Sequence, residues 1–87
     1  MSGQTLRQIR ESLPGPFALA KTFAVLVGRS QTMLSRYEND RSDVPPEVAA
    51  FAGLARALAR QFPGDQVTAF LNVALDSARA AGGRVRR

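Results

Sequence analysis

At 87 residues, 45% of them apolar, the chain suffices for one domain built around a single core of short elements. It has neither cysteine nor histidine, which removes disulfides, thiolate or imidazole metal sites, histidine-based triads and the commonest general base. The net charge of +5 invites an anionic partner, but Arg79, Arg84, Arg86 and Arg87 hold four of the twelve basic residues, and the other eight face seven Asp/Glu, a balance of +1. A nucleic-acid reading therefore rests on where polar groups are placed.

Thr5-Leu6-Arg7-Gln8 has the form of a capping box, with Thr5 satisfying an amide three residues on and Gln8 reaching back. Leu6, Ile9 and Leu13 form the apolar stripe of a first helix. Pro14-Gly15-Pro16 ends it, because Pro14 disfavours helical geometry before it and donates no amide. A second helix is expected from Phe17 to Val27, with Phe23, Ala24 and Val27 inward and Val25 and Leu26 as surplus apolar residues. Gly28 suits the left-handed conformation that closes a helix, and Ser30 suits the N-cap of the next. The third helix, about residues 31–37, sets Leu34 and Tyr37 on one side with Met33 beside them. Gln31, Thr32, Ser35 and Arg36 fall on the other. Asn39 to Val44 reads as a polar turn.

Pro45-Pro46 before Glu47 suits the start of a fourth helix, whose buried stripe is expected to be Val48, Phe51, Ala55 and Leu58. Phe62-Pro63-Gly64 breaks it. Asp65 is expected to cap a fifth helix, about residues 66–80, in which Val67, Phe70, Leu71, Ala74, Leu75 and Ala78 recur at helical spacing. Gly82-Gly83 is expected to end that helix, leaving residues 82–87 as a basic flexible tail behind a single domain of residues 1–81. Uninterrupted apolar stretches such as Phe23 to Val27 fall far short of the roughly 20 residues that a membrane helix requires. A cytoplasmic protein with no membrane partner is expected.

The outward groups of the third helix are hydrogen-bonding tools suited to base edges, sugars and phosphates. An apolar helix before Gly28 and a polar-faced helix after it compose a helix-turn-helix unit. The run Gly28, Ser30, Gln31, Leu34, Ser35, Arg36, Tyr37, Glu38, Asn39, followed by Pro45 and Leu54-Ala55-Arg56-Ala57-Leu58, resembles the XRE/Cro-type, lambda-repressor-like DNA-binding family over roughly residues 5–60. With the five helices read above, the resemblance implies a compact all-α, five-helix domain, usually dimeric, that puts its third helix into a major groove. It also implies base contacts for Gln31, Thr32 and Arg36 with Ser35 beside them, and a pairing of Arg10 with Glu38. Leu19 and Ala20 stand where the family commonly has a Ser/Thr and a phosphate-touching glutamine, so Lys21 is expected to supply charge there. Asp40 replaces a glycine that often follows the asparagine, an exchange the turn tolerates because Asp enters the left-handed region more readily than most residues.

Arg36 has the two donors that address guanine, Gln31 either pairs with adenine or holds a phosphate, and Thr32 meets a thymine methyl or another base edge. Lys21, Arg29 and Arg41 flank the reading helix where backbone phosphates would pass. Tyr37 shares a face with Leu34 and is expected in the core. Glu38 would be a poor neighbour for phosphate, and a positive partner at Arg10 accounts for it. On the fifth helix, Val67, Phe70, Leu71, Ala74 and Leu75 either pack the core or form a two-fold interface, which would join two half-sites one DNA turn apart.

The expected function is sequence-specific transcriptional regulation: a repressor that binds a palindromic operator in double-stranded DNA as a homodimer, with autoregulation as one mode of control. The alternative is a small helical interaction module, antitoxin-like, that uses Val25, Leu26 and the fifth helix to hold a protein partner while the third helix is only structural. No enzymatic activity, cofactor or metal is expected, since Ser30, Ser35 and Glu38 have no base arranged beside them.

Overall fold

The computed structural model describes residues 1–85, with side chains through residue 81. Among the described residues the chain forms five α-helices and no strand: α1 (Gly3–Glu11), a 3-10 turn (Gly15–Ala18), α2 (Ala20–Leu26), α3 (Gln31–Glu38), α4 (Pro46–Gln61) and α5 (Gly64–Val85). α1 packs on α3 and α4, α2 packs on α3 and α5, and α4 packs on α5. The radius of gyration is 12.3 Å, close to the value of about 12 Å for a folded chain of this length.

The core is drawn from every element. Leu6 of α1, Phe17 of the 3-10 turn, Phe23 of α2 and Leu34 of α3 are wholly buried, and α4 and α5 close over them with Val48, Ala52, Ala55, Val67, Leu71 and Leu75. Burying one large apolar side chain contributes about 1.5–3 kcal/mol. The buried line on α4 thus includes Ala52, outside the expected stripe. Phe51 sits half-buried at its side, its ring 6.3 Å from that of Phe23.

Helix ends depart from the sequence expectations where tertiary contacts intervene. Ser2, not Thr5, caps α1: its Oγ accepts from the Thr5 amide at 3.1 Å. The helix starts early because Gly3 lies against the end of α3, where its amide donates to Asp40 Oδ1 at 2.9 Å. A Cβ at Gly3 would overlap the Tyr37 carbonyl oxygen and lie 2.6 Å from that of Glu38. Only glycine permits that approach.

The helix expected from Phe17 is interrupted. Amides of Phe17 and Leu19 donate to the carbonyls of Pro14 and Pro16, Gly15 takes φ +59°, and Leu19 is extended, so α2 begins at Ala20. Two prolines push the residues before them out of helical geometry, and burial of Phe17 holds the resulting turn.

Asp65 is likewise not the cap of α5. The Pro63 carbonyl accepts from the amides of Gln66 and Val67, which places Asp65 inside the first turn, where its charge suits the positive helix end. α5 also continues past Gly82-Gly83 to Val85. Glycine weakens a helix by about 1 kcal/mol relative to alanine but keeps its amide donor, so the ladder continues beyond Ala80 and Ala81. Of the expected basic tail, residues 86 and 87 and the side chains of 82–85 lie outside the described residues. No described helix is long and apolar enough to cross a membrane.

Gly3→Ala is expected to lower stability by about 1–3 kcal/mol through overpacking against the α3 backbone. Gly53→Ala, whose Cβ would meet nothing within 4 Å, is expected to raise it by about 0.5–1 kcal/mol. Urea denaturation of the two variants checks both signs, and a Gly3→Ala midpoint at or above wild type would contradict the close approach.

Candidate nucleic-acid interface

α2 and α3 end in the same backbone motif, with different residues supplying the left-handed position. After α2, Gly28 takes φ +69°, the Arg29 amide donates to the Ala24 carbonyl at 2.9 Å and the Gly28 amide to that of Val25 at 3.1 Å. After α3, Asp40 takes φ +58°, the Arg41 amide donates to the Arg36 carbonyl at 2.8 Å and the Asp40 amide to that of Tyr37 at 3.2 Å. The aspartate adopts this conformation as expected, and its carboxylate gains the Gly3 amide as a partner. Between the two motifs, Ser30 caps α3 through an Oγ that accepts from the Met33 amide at 3.1 Å.

α3 is sharply divided. Leu34 and Tyr37 are buried, Met33 is half-buried, and Gln31, Thr32, Ser35 and Arg36 are exposed. Those four line one open concavity of about 790 Å³ together with Asn39 and Arg41. Arg36 Nε donates to Ser42 Oγ at 3.2 Å, which orients the guanidinium while its two terminal nitrogens have no partner among the described residues. Asn39 Nδ2 donates to the carbonyl and Oγ of Ser35 at 2.8 and 3.3 Å. Asn39, expected at the start of a polar turn, stands four residues after Ser35, and this spacing of one helical turn is the signal that puts it at this surface.

The roll of α3 is fixed from both ends. At its C-terminal end, Arg10 grips Glu38 with two parallel bonds, Nε to Oε2 at 2.7 Å and Nη2 to Oε1 at 3.0 Å. Arg10 Nη1 also donates to the Ala18 carbonyl, tying in the 3-10 turn. Arg7 adds a longer approach to Glu38 at 3.5 Å. The Glu38 hydrogen bond raises the Arg10 pKa against the opposing effect of burial, so the guanidinium stays charged beside its partner. Among the described residues no buried side-chain donor or acceptor is left unpaired.

At the other end, Arg29, expected among the phosphate contacts, is bonded within the protein. Its Nη2 meets Glu47 Oε2 at 2.6 Å, its Nε donates to the Tyr37 hydroxyl at 3.2 Å, and its Nη1 donates to the Val27 carbonyl at 3.3 Å. The guanidinium is engaged by the protein and ties the turn to α3 and α4. Glu47, held below the usual carboxylate range by its own backbone amide and then by Arg29, adds support that is present above that range and is lost as pH falls below it through the lowered pKa.

Other expected site residues separate. Arg41 lines the concavity, whereas Lys21 is exposed in the first turn of α2 and does not. Val67, Leu71 and Leu75 belong to the core rather than to a dimer surface, because α5 uses them to cover α2 and α4. Ala74 is half-buried and Phe70 is 44% exposed. Phe70 stands edge-on to Phe62 with ring centres 5.5 Å apart, and Val73 is exposed one turn further along α5. Val25 and Leu26 are not a free apolar face either: Leu26 is buried and Val25 packs against the core, on the helix that α5 covers. No protein-family model, curated protein or solved structure matches the chain.

Removing either member of the Arg10–Glu38 pair is expected to cost about 3–5 kcal/mol, since it strands the other charge in a largely buried place. The double variant Arg10→Ala/Glu38→Ala is expected to lose less than the two single losses together. Thermal or denaturant melts of the four proteins measure this coupling, and strictly additive losses would reject it.

Proposed function

We propose that α2, the turn through Arg29 and α3 form a helix-turn-helix, and that the protein is a sequence-specific DNA-binding transcriptional regulator, a repressor acting on a palindromic operator. The observation that carries this reading is the division of α3: a short, rigidly seated helix presents Gln31, Thr32, Ser35 and Arg36 to solvent in one concavity and turns Leu34 and Tyr37 inward. A helix with its side chains is about 10–12 Å across and a major groove about 12 Å wide, so such a helix enters the groove edge-first with its polar face on the bases. The resemblance of residues 28–39 to XRE/Cro-type sequences points the same way.

In this reading Arg36 addresses guanine O6 and N7 with its two terminal nitrogens, which remain available because Ser42 holds only Nε. Gln31 and Thr32 meet neighbouring bases, and Ser35 contributes a hydroxyl oriented by Asn39. Arg41 and Lys21 supply phosphate contacts. Arg29 positions α3 and takes no part in phosphate binding. A homodimer would place two copies of α3 about 34–36 Å apart on successive turns of one DNA face. The exposed aromatic and aliphatic cluster of Phe62, Phe70 and Val73 is the surface we assign to that dimer. Occupancy of the operator would exclude RNA polymerase. An interaction module built on Val25, Leu26 and α5 has less support, because α5 packs against the helix that carries Val25 and Leu26 and buries its own Val67, Leu71 and Leu75.

Selection of bound fragments from random DNA at fixed salt, with mass measurement of the complex, tests specificity and subunit count together. Arg36→Ala is expected to cost about 1–3 kcal/mol on the selected site and to relax preference at one base position. Arg41→Ala is expected to weaken all sequences alike and to reduce the salt slope by about one, while Arg29→Ala leaves the slope unchanged. Equal binding of all DNA sequences by wild type would overturn the reading.

A further inference from the structure

A second concavity, of about 300 Å³, lies between α1 and α4 and is lined by Gln8, Ile9, Ser12, Arg56, Ala59 and Arg60. We propose that it binds an acidic segment of a protein partner, with Arg56 and Arg60 each taking a carboxylate. This inference is independent of the DNA reading.

Charge is the first support. Among the described residues the ion pairs are those of Glu38 with Arg7 and Arg10 and of Glu47 with Arg29, so neither Arg56 nor Arg60 has a carboxylate within 4 Å. α1 and α4 both end near this groove, and each helix end carries roughly half a negative charge. Two full guanidinium charges exceed that. The residues stand four apart on α4, about 6 Å along its axis, which matches carboxylates one turn apart on a helix or at alternate positions of an extended chain.

The remaining lining groups select peptide over nucleic acid. Ser12 Oγ donates its proton to the Ile9 carbonyl at 2.7 Å, which leaves the oxygen as an acceptor toward the groove. An acceptor there suits the backbone N–H of a peptide lying between its two carboxylates, a donor that a phosphodiester backbone lacks. Gln8 presents an amide that pairs with a peptide unit on either side. Ile9, 2% exposed, and half-buried Ala59 give the floor an apolar character that a small aliphatic side chain between the two acids would meet. Placement agrees: at about 100° per residue, Gln8 and Ser12 each stand roughly 160° around α1 from Arg10, the residue that reaches α3. The groove therefore faces away from the α3 surface.

The test uses the full chain and three labelled probes at low salt: a short peptide with glutamates at alternate positions around alanine, the same peptide with glutamines, and a duplex oligonucleotide. Fluorescence anisotropy is expected to show binding of the glutamate peptide and none of the glutamine peptide. Arg56→Gln/Arg60→Gln is expected to weaken the glutamate peptide at least tenfold while leaving duplex binding unchanged, with circular dichroism confirming the fold. Backbone amide NMR shifts in wild type locate the peptide without any variant, and are expected at Gln8, Ser12, Arg56 and Arg60. Equal binding of both peptides, shifts confined to α3, or displacement of the peptide from these residues by the duplex would each overturn the proposal.

Discussion

The seating of α3 depends on the paired bonds between Arg10 and Glu38. An eight-residue helix is marginal by itself, and its own apolar contribution to the core is little more than Leu34 and the ring of Tyr37. Without a directional anchor, a slip of one residue would turn it by about 100°, carrying polar groups inward and Leu34 out. A buried ion pair is weak evidence of net stability, because desolvation offsets much of the attraction. Its geometric demand is strict, however: a planar guanidinium gripping a carboxylate at two points permits one orientation. The close approach of Gly3 to the α3 carbonyls and the Gly3–Asp40 bond restrict the same end further.

This anchoring also resolves the modest charge of the body. Three of the acidic residues near α3 have partners within the protein: buried Glu38 is held by Arg10, and at the surface Glu47 meets Arg29 and Asp40 accepts from the Gly3 amide. Arg36 and Arg41 stay on the concave side. A chain with almost balanced charge outside its C-terminal end thereby presents an uneven surface beside α3, since three of its seven anions have partners within the protein while two of its cations line the concavity. What matters for a charged ligand is this local distribution, and net charge reports it poorly.

The helix pairing around Gly28 was legible because local chemistry alone decides it: a glycine for the left-handed position, a serine for the cap and apolar side chains at helical spacing. The Arg10–Glu38 pair was also legible, through the resemblance and through the unsuitability of a carboxylate on a helix expected to face phosphates. Features set by distant neighbours were not. Thr5 has a respectable capping pattern, yet Ser2 caps α1, because the contact of Gly3 with α3 draws the helix start forward. Arg29 reads from the sequence as a free cation beside α3, and nothing in its neighbours along the chain announces Glu47, eighteen residues on. Asn39 was hidden in the same way as a turn residue, although its amide is fixed on Ser35.

α5 shows why a dense apolar stripe leaves two roles open. Val67, Leu71 and Leu75 recur every four residues and point into the core, while Phe70 and Val73 stand on the neighbouring arc and stay outside. Periodicity reports that one broad side is apolar, but the width of the groove offered by α2 and α4 decides how much of it is covered. Isolated exposed apolar residues are ordinary, yet Phe62 and Phe70 stack edge to face and gain a geometry-dependent attraction at the surface itself. Core closure and outer contact are thus carried by different residues of one helix. Since α2 lies between α5 and α3, the covering of its apolar side by α5 is what allows α2 to be greasy nearly all round while α3 keeps one face polar.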